Sequence, residues 1–447
     1  MSEPSPGSGR EPESAETPSA LTNTAIAGVM FMGRAALAFA TVILITRGLS
    51  TADRGKVVYI TNLAGLLSML ASAGIVASIT TLYSQRRVGL LELVRAASRV
   101  GLVASAVAAI PMLILGYLKR DSIQLSNLSW LLVLVALGSL VEFANRSQVA
   151  SLANRISLVA VSALAGSLLY LIWSAIEVSN KSISVHSNIV GWSISAIVPV
   201  ALIGVRRRWL TSGEVPLQQV RTELLSATLR SNLASLAVLV IWKLDVVLVE
   251  AARGFDELGL YSTAVAVAEM VMVAAIAVRS AMLAHHAEPD AVLVPRLARV
   301  SRVALAGASL IGVAVAVVGS LLMPIVFGAE YGEARWALVL LIPGVVALVS
   351  HFPLFDFLIA RGYTRELTVL GGSALALNLI GNVVLLQFFN FNAASVVSTL
   401  TYALVLGGCV RMFAKHGSLN AREVLLIGAD DLRMVRSLVP IGRRAPK

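Results

Sequence analysis

The chain has a single cysteine and is poor in charged and aromatic residues. One thiol allows no internal disulfide and no multi-thiolate metal site. Cys409, inside an apolar segment, therefore reads as a packing residue. Charged residues make up 14% of the chain and the hydrophobic set 57%, whereas a soluble domain carries roughly 25% charged residues. Mean hydropathy is +0.82. Such a chain is too apolar to be water-soluble along most of its length, and an all-α integral membrane protein is expected. Chemistry is scarce as well. The five histidines, His186, His285, His286, His351 and His416, are scattered. There is no phosphate-binding loop and no Gly-x-Ser-x-Gly in a strand-turn-helix setting. The residues point to no enzyme, no metal site and no cofactor.

What is present is a series of apolar runs near 20 residues long, which gives twelve expected spans. The first six are roughly 21–46, 57–82, 100–118, 128–143, 156–176 and 189–205. The second six are roughly 233–249, 258–278, 303–327, 336–360, 367–387 and 393–410. The runs are continuous rather than alternating, which favours helices over barrel strands. Residues 1–20, rich in Pro, Ser, Gly and Glu, read as a disordered, uncleaved tail. Residues 21–205 and 233–410 form the two halves, 206–232 a basic linker, and 411–447 a basic tail.

The excess of 36 Lys and Arg over 25 Asp and Glu gives a net charge of +11. In a soluble protein that balance suggests nucleic acid. Here most of the cations fall in the segments on the side of the N-terminus, including Arg86, Arg87, Arg206, Arg207, Arg208 and Arg296. Basic loops stay cytoplasmic, so both termini are expected inside a multi-pass cytoplasmic membrane protein, with lipids and no nucleic acid as partners. The exceptions are Arg47, Arg54 and Lys56 in the first outer turn, which are expected either to meet outer headgroups, the favoured reading, or to touch the emerging substrate.

That turn, "TRGLSTADRGKVVY", has a relative at "ARGFDELGLY", and Gly55 and Gly259 stand 204 residues apart. Each half opens inside, so the repeats are parallel, related by an axis along the membrane normal. "TRGLSTADRGKVVYITNLAGLLSMLASAGI", "IWKLDVVLVEAARGFDELGLYSTAVAVAEM", "FGAEYGEARWALVLLIPG" and "AREVLLIGADDLRMVRSLV" together resemble the polysaccharide and O-antigen flippases. These belong to the multidrug/oligosaccharidyl-lipid/polysaccharide exporter superfamily. "NFNAASV" departs from the glycines that members often place before the last helix. The resemblance implies two six-helix bundles in a V around a central cavity. It implies alternating access and a lipid-linked oligosaccharide as substrate. Polysaccharide polymerase machinery is an expected partner, and the energy is expected from exchange of a proton or sodium ion or from downstream consumption of the product. A multidrug antiporter of the same superfamily and a membrane-embedded polysaccharide polymerase are the competing functions.

Ionisable groups inside a span face protein or a wet cavity. Arg34 shares a stripe with Asn23, Ala27, Ala38 and Thr41, small and partly polar as a cavity wall should be. Arg34 and Asn23 are therefore candidates for headgroup binding, because a guanidinium grips phosphate bidentately. Lys243 and Asp245, two residues apart, point to nearly opposite sides of one helix. Lys243 joins the headgroup candidates, while Asp245, which matches the family's seventh-helix Asp, joins Glu269, His351 and Asp356 as candidates for ion or proton coupling. Glu142 and Arg146, at i and i+4, read as a local salt bridge.

Overall fold

The computed structural model describes residues 20–84, 88–205, 210, 212–213, 215–229, 233–272, 289–428 and 431. Side chains of 20–27, 205, 229 and 233–235, Asn23 among them, lie outside the described residues, as do His285, His286 and the sequence on either side. The chain is almost wholly helical. The first half runs α1 (Ala20–Gly48), α2 (Thr51–Ser84), α3 (Leu90–Leu118), a short α4 (Arg120–Ile123), α5 (Asn127–Leu152), α6 (Ile156–Ser179) and α7 (Val185–Val205). A connecting α8 (Leu217–Leu229) leads to α9 (Leu233–Ala268), α10 (Asp290–Phe327), α11 (Ala334–Ala360), α12 (Thr364–Phe388), α13 (Asn392–His416) and a short α14 (Ala421–Leu425).

Turn chemistry sets where helices stop. Ser50 accepts the Asp53 N–H at 3.2 Å and Ser126 that of Ser129 at 3.2 Å, each satisfying a donor the first turn leaves free. Gln124, Asn154 and Lys181 take left-handed conformations between helices. Gly254 has φ 82° and ψ −176° and breaks α9 into two arms. The arms fold back on one another: the Tyr261 hydroxyl reaches Asp245, and Lys243 reaches Glu269. Among the described residues ten helical segments are long and apolar enough to cross a membrane. The two arms of α9 are not among these ten: the first carries Lys243, Asp245 and Glu250, and the expected eighth span, 258–278, runs on past the described residues.

Helices α1, α2, α3, α5, α6 and α7 form one bundle; the two arms of α9 with α10 to α13 form the other. Helix α1 packs on α6, α2 on α3 and α5, and α7 on α5 and α6. In the second bundle α11 is flanked by α10 and α13 and is largely buried. The outer faces are apolar: Leu102, Val103 and Val107 on α3 and Leu310, Val317 and Leu321 on α10 are exposed, as a lipid-facing surface requires. The connecting segment is more than a tether. In α8, Val220 and Leu224 are fully buried against the first bundle, and Glu92 accepts the Gly213 N–H at 2.9 Å.

The two bundles meet where α2 crosses α9. We call the end that carries Gly48 to Thr51 and Gly254 distal, and the end that carries α8 and α14 proximal. At the distal end a β-carbon on Gly55 would land on the Phe255 carbonyl, and one on Gly259 would land on the Thr51 carbonyl. Thr51 and Phe255 each stand four residues before a glycine, so the contact is reciprocal and follows the 204-residue repeat. Around it, the Thr51 hydroxyl donates to Asp256 at 2.8 Å and Tyr59 meets Phe255 edge-on at 5.8 Å. Arg47 donates to the carbonyls of Val326 and Ile325 at 2.7 and 2.6 Å, and Lys119 pairs with Glu250 at 2.8 Å. The distal end is closed.

Candidate functional site

Below this crossing a cavity of about 240 Å³ lies between the bundles. Helix α1 contributes Ala38, Thr41, Val42 and Ile45; α2 contributes Arg54, Val57, Val58, Thr61 and Asn62. Tyr170 of α6 and Trp192 of α7 close one side, and Lys243, Val246, Ser262, Val265, Ala266 and Glu269 of α9 and the turn that follows it close the other. The stripe expected on α1 is therefore the cavity wall at Ala38 and Thr41. Arg34 lies one turn further toward the proximal end on the same face, exposed and with no polar partner among the described residues.

Lys243 faces the cavity. Its Nζ sits 3.0 Å from Glu269 Oε1 and 4.9 Å from the centre of the Trp242 ring, and Trp242 Nε1 donates to the same carboxylate oxygen at 3.1 Å. Asp245, two residues on, turns into the second bundle and is 3% exposed. It accepts the Tyr261 hydroxyl and the Val246 N–H, the latter at 2.8 Å. A smaller pocket of about 10 Å³ lies there, lined by Asp245, Trp242, Glu269 and Tyr402 among others. That is about the space of one water-sized sphere. Glu269 borders both spaces, with Lys243 on the cavity side and Asp245 on the other.

The second bundle is polar beyond this pocket. Asn378 and Asn382 on α12 and Ser395, Ser398 and Thr401 on α13 are all fully buried. Asn378 Nδ2, Asn382 Oδ1 and Ser395 Oγ have no hydrogen-bond partner among the described residues. Ser398 neighbours both Tyr261 and Tyr402, which joins this seam to Asp245. Asn378 and Asn382 went unnoticed in the sequence, although an i, i+4 pair of asparagines inside an apolar run was the available signal.

His351 and Asp356, on α11, do not line the cavity. His351 is fully buried, with Nδ1 on the Leu348 carbonyl and its ring 4.4 Å from that of Phe352. Asp356 is half-buried and has partners of its own. Glu142 and Arg146 form the expected local bridge at 2.6 Å, and Cys409 is a buried packing residue.

One expectation is corrected. Arg47, Arg54 and Lys56 are not a headgroup-facing cluster. Arg47 binds carbonyls of the other bundle, and Lys56 pairs with Asp53 at 3.0 Å. Arg54 is 6% exposed and lines the cavity. The hydropathy pattern ended the membrane region at Val57, but α2 begins at Thr51, so Arg54 falls on the face that carries Val58, Thr61 and Asn62. Helical phase puts it on that face only once the start of α2 at Thr51 is known.

Residues 20–283 match the family model described as "Polysaccharide biosynthesis protein". The chain belongs to that family. Among solved structures, the lipid II flippase MurJ in an inward closed conformation is similar with a TM-score of 0.62 at 11% identity, covering 95% of this chain and 94% of that one. A multidrug resistance MATE family transporter in the outward-facing conformation gives 0.59 at 14% identity, covering 89% and 95%. A superfamily transporter from Pyrococcus furiosus, described as having a binding pocket of reverse polarity, gives the same TM-score, identity and coverage. No curated protein matches the chain in sequence. The family member described here thus has the transmembrane fold of the multidrug/oligosaccharidyl-lipid/polysaccharide superfamily.

Proposed function

We propose that the protein flips a lipid-linked oligosaccharide, a polyprenyl-pyrophosphate glycan, across the cytoplasmic membrane by alternating access. One observation carries this reading: a polar, cation-bearing cavity lies between two bundles, sealed at the distal end by the reciprocal glycine crossing. Family membership and the likeness to a lipid II flippase support it. The task is to move a polar, anionic headgroup through hydrocarbon while its lipid tail stays in the bilayer. On this reading the proximal end is cytoplasmic, as the excess of basic residues there favours. Arg34 meets the pyrophosphate first, and Lys243 takes it deeper.

The Lys243–Glu269 pair offers a route to coupling. A phosphate that engages Lys243 competes with the Glu269 carboxylate. Once released, Glu269 can take a proton or a sodium ion together with Asp245 across the small pocket they share. A cationic-drug antiporter is less well served, because the cavity's one carboxylate among the described lining residues is already bound to Lys243.

Loss of the gene should leave complete lipid-linked oligosaccharide units on the cytoplasmic leaflet, read by leaflet-specific labelling. Normal flipping with altered chain length would overturn the proposal in favour of a polymerase. Arg34→Ala should abolish export while Arg34→Lys keeps part of it; full export in Arg34→Ala would remove Arg34 from the site.

A further inference from the structure

We propose that Arg54 is a second anion site, at the distal end of the cavity, that takes a phosphoryl oxyanion of the substrate immediately beneath the closed crossing. It rests on the flippase reading above. Arg54 is 6% exposed, its Nε has no hydrogen-bond partner, and it has no carboxylate partner among the described residues. Its electrostatic neighbours are two phenols, Tyr170 and Tyr331. The Tyr170 hydroxyl is committed to Asn188 at 2.7 Å, whereas the buried Tyr331 hydroxyl has no hydrogen-bond partner among the described residues.

The cations around it are all compensated: Arg47 by two carbonyls, Lys56 by Asp53, Lys119 by Glu250 and Arg253 by Glu257. A guanidinium keeps its charge in a protein. Burying one without a counter-charge is costly. The side chain nevertheless sits on the cavity wall, where an incoming anion can supply that counter-charge. Its planar fork suits two phosphate oxygens at once.

Position gives the site its meaning. Arg54 is the residue before Gly55, so whatever it binds lies against the α2–α9 crossing. Lys243 and Arg54 on the cavity wall, with Arg34 one turn outside it on the proximal side, then form a series of cations along which a headgroup advances. An anion on Arg54 supplies the missing counter-charge at the last position before the bundles part.

The test uses the full chain in lipid nanodiscs, titrated with inorganic pyrophosphate, and with glucuronate as a carboxylate comparator at equal ionic strength. Wild type should show saturable binding and a raised thermal midpoint with pyrophosphate. Arg54→Gln should weaken that binding about ten- to a hundred-fold, with a ligand-free midpoint equal to or above wild type because an uncompensated charge is gone. Arg54→Lys should fall between. Unchanged pyrophosphate binding in Arg54→Gln alongside weakened binding in Arg34→Ala overturns the Arg54 site and leaves the flippase reading standing. A ligand-free midpoint several degrees lower in Arg54→Gln makes the residue structural and also overturns it. Glucuronate binding as tight as pyrophosphate overturns the phosphoryl assignment. No response of wild type to pyrophosphate removes the flippase reading itself.

Discussion

A charge in the hydrocarbon layer must be matched or wetted, and α9 does both within three residues. Lys243 is wetted by the cavity and matched by Glu269; Asp245 is matched by hydrogen bonds in the second bundle. Removing one partner of such a pair strands the other, whereas removing both can be nearly neutral. Lys243→Met should therefore lower stability by about 1–3 kcal/mol. Lys243→Met combined with Glu269→Gln should recover most of it, measured by thermal unfolding in detergent. Additive losses in the double variant would show that the two residues do not act as a pair. The placement of Arg34 on the Ala38–Thr41 face was legible from helical phase alone, because period 3.6 fixes a face without reference to neighbours. Arg54 was not, because whether a basic residue beside a turn points out or in depends on where the helix begins.

At the scale of elements, the repeated hinge serves two purposes. Gly254 adopts a backbone conformation that only glycine holds without strain, although a β-carbon there would meet nothing within 4 Å. Gly254→Ala should therefore cost about 1–3 kcal/mol through torsion alone, seen as a lower thermal midpoint. Gly55 and Gly259 are needed for a different reason, the approach of two backbones. Gly55→Ala should wedge the distal crossing apart and favour the distally open form. The check is faster labelling of a cysteine placed at Thr51, which hydrogen-bonds Asp256 across the closed crossing. Equal labelling rates with and without the Gly55→Ala substitution would refute the wedge.

The proximal end carries its own strap. Arg302 on α10 holds Asp431 through Nε at 2.7 Å and Nη2 at 3.1 Å, and also donates to the Glu423 carbonyl. The Arg302 guanidinium holds the Asp431 carboxyl below the usual carboxylate range. The folded value lies below the unfolded one, so the contribution is complete above about pH 4 and is lost as pH falls through the depressed value. Limited proteolysis after residue 420 should be slow at neutral pH and faster in strongly acidic buffer. In Asp431→Asn it should be fast throughout.

Across the whole molecule, two parallel six-helix halves make a closed distal end and a cavity beneath it. The proposed orientation in the membrane rests on charge asymmetry, and it can be read directly. Ser50 and Ser418 lie at the distal and proximal ends, and neither is buried. Ser50→Cys should react with an impermeant maleimide added to intact cells, and Ser418→Cys only after the membrane is opened; the reverse pattern would invert the topology.

The amino-acid order by itself determined that the chain spans a membrane as helices, that the spans number about twelve, and that the halves repeat. Those properties follow from local hydropathy and from segments compared with each other, which need no knowledge of contacts. The tertiary structure alone decided that the two repeated turns press against each other through Gly55 and Gly259. It also decided that Lys243 and Glu269 share an ion pair, and that Arg54 lies buried beside the cavity without one among the described residues. Each of these depends on which residues a distant helix brings within a few ångströms, and pairing across some 200 residues leaves no local trace in hydropathy or helical phase.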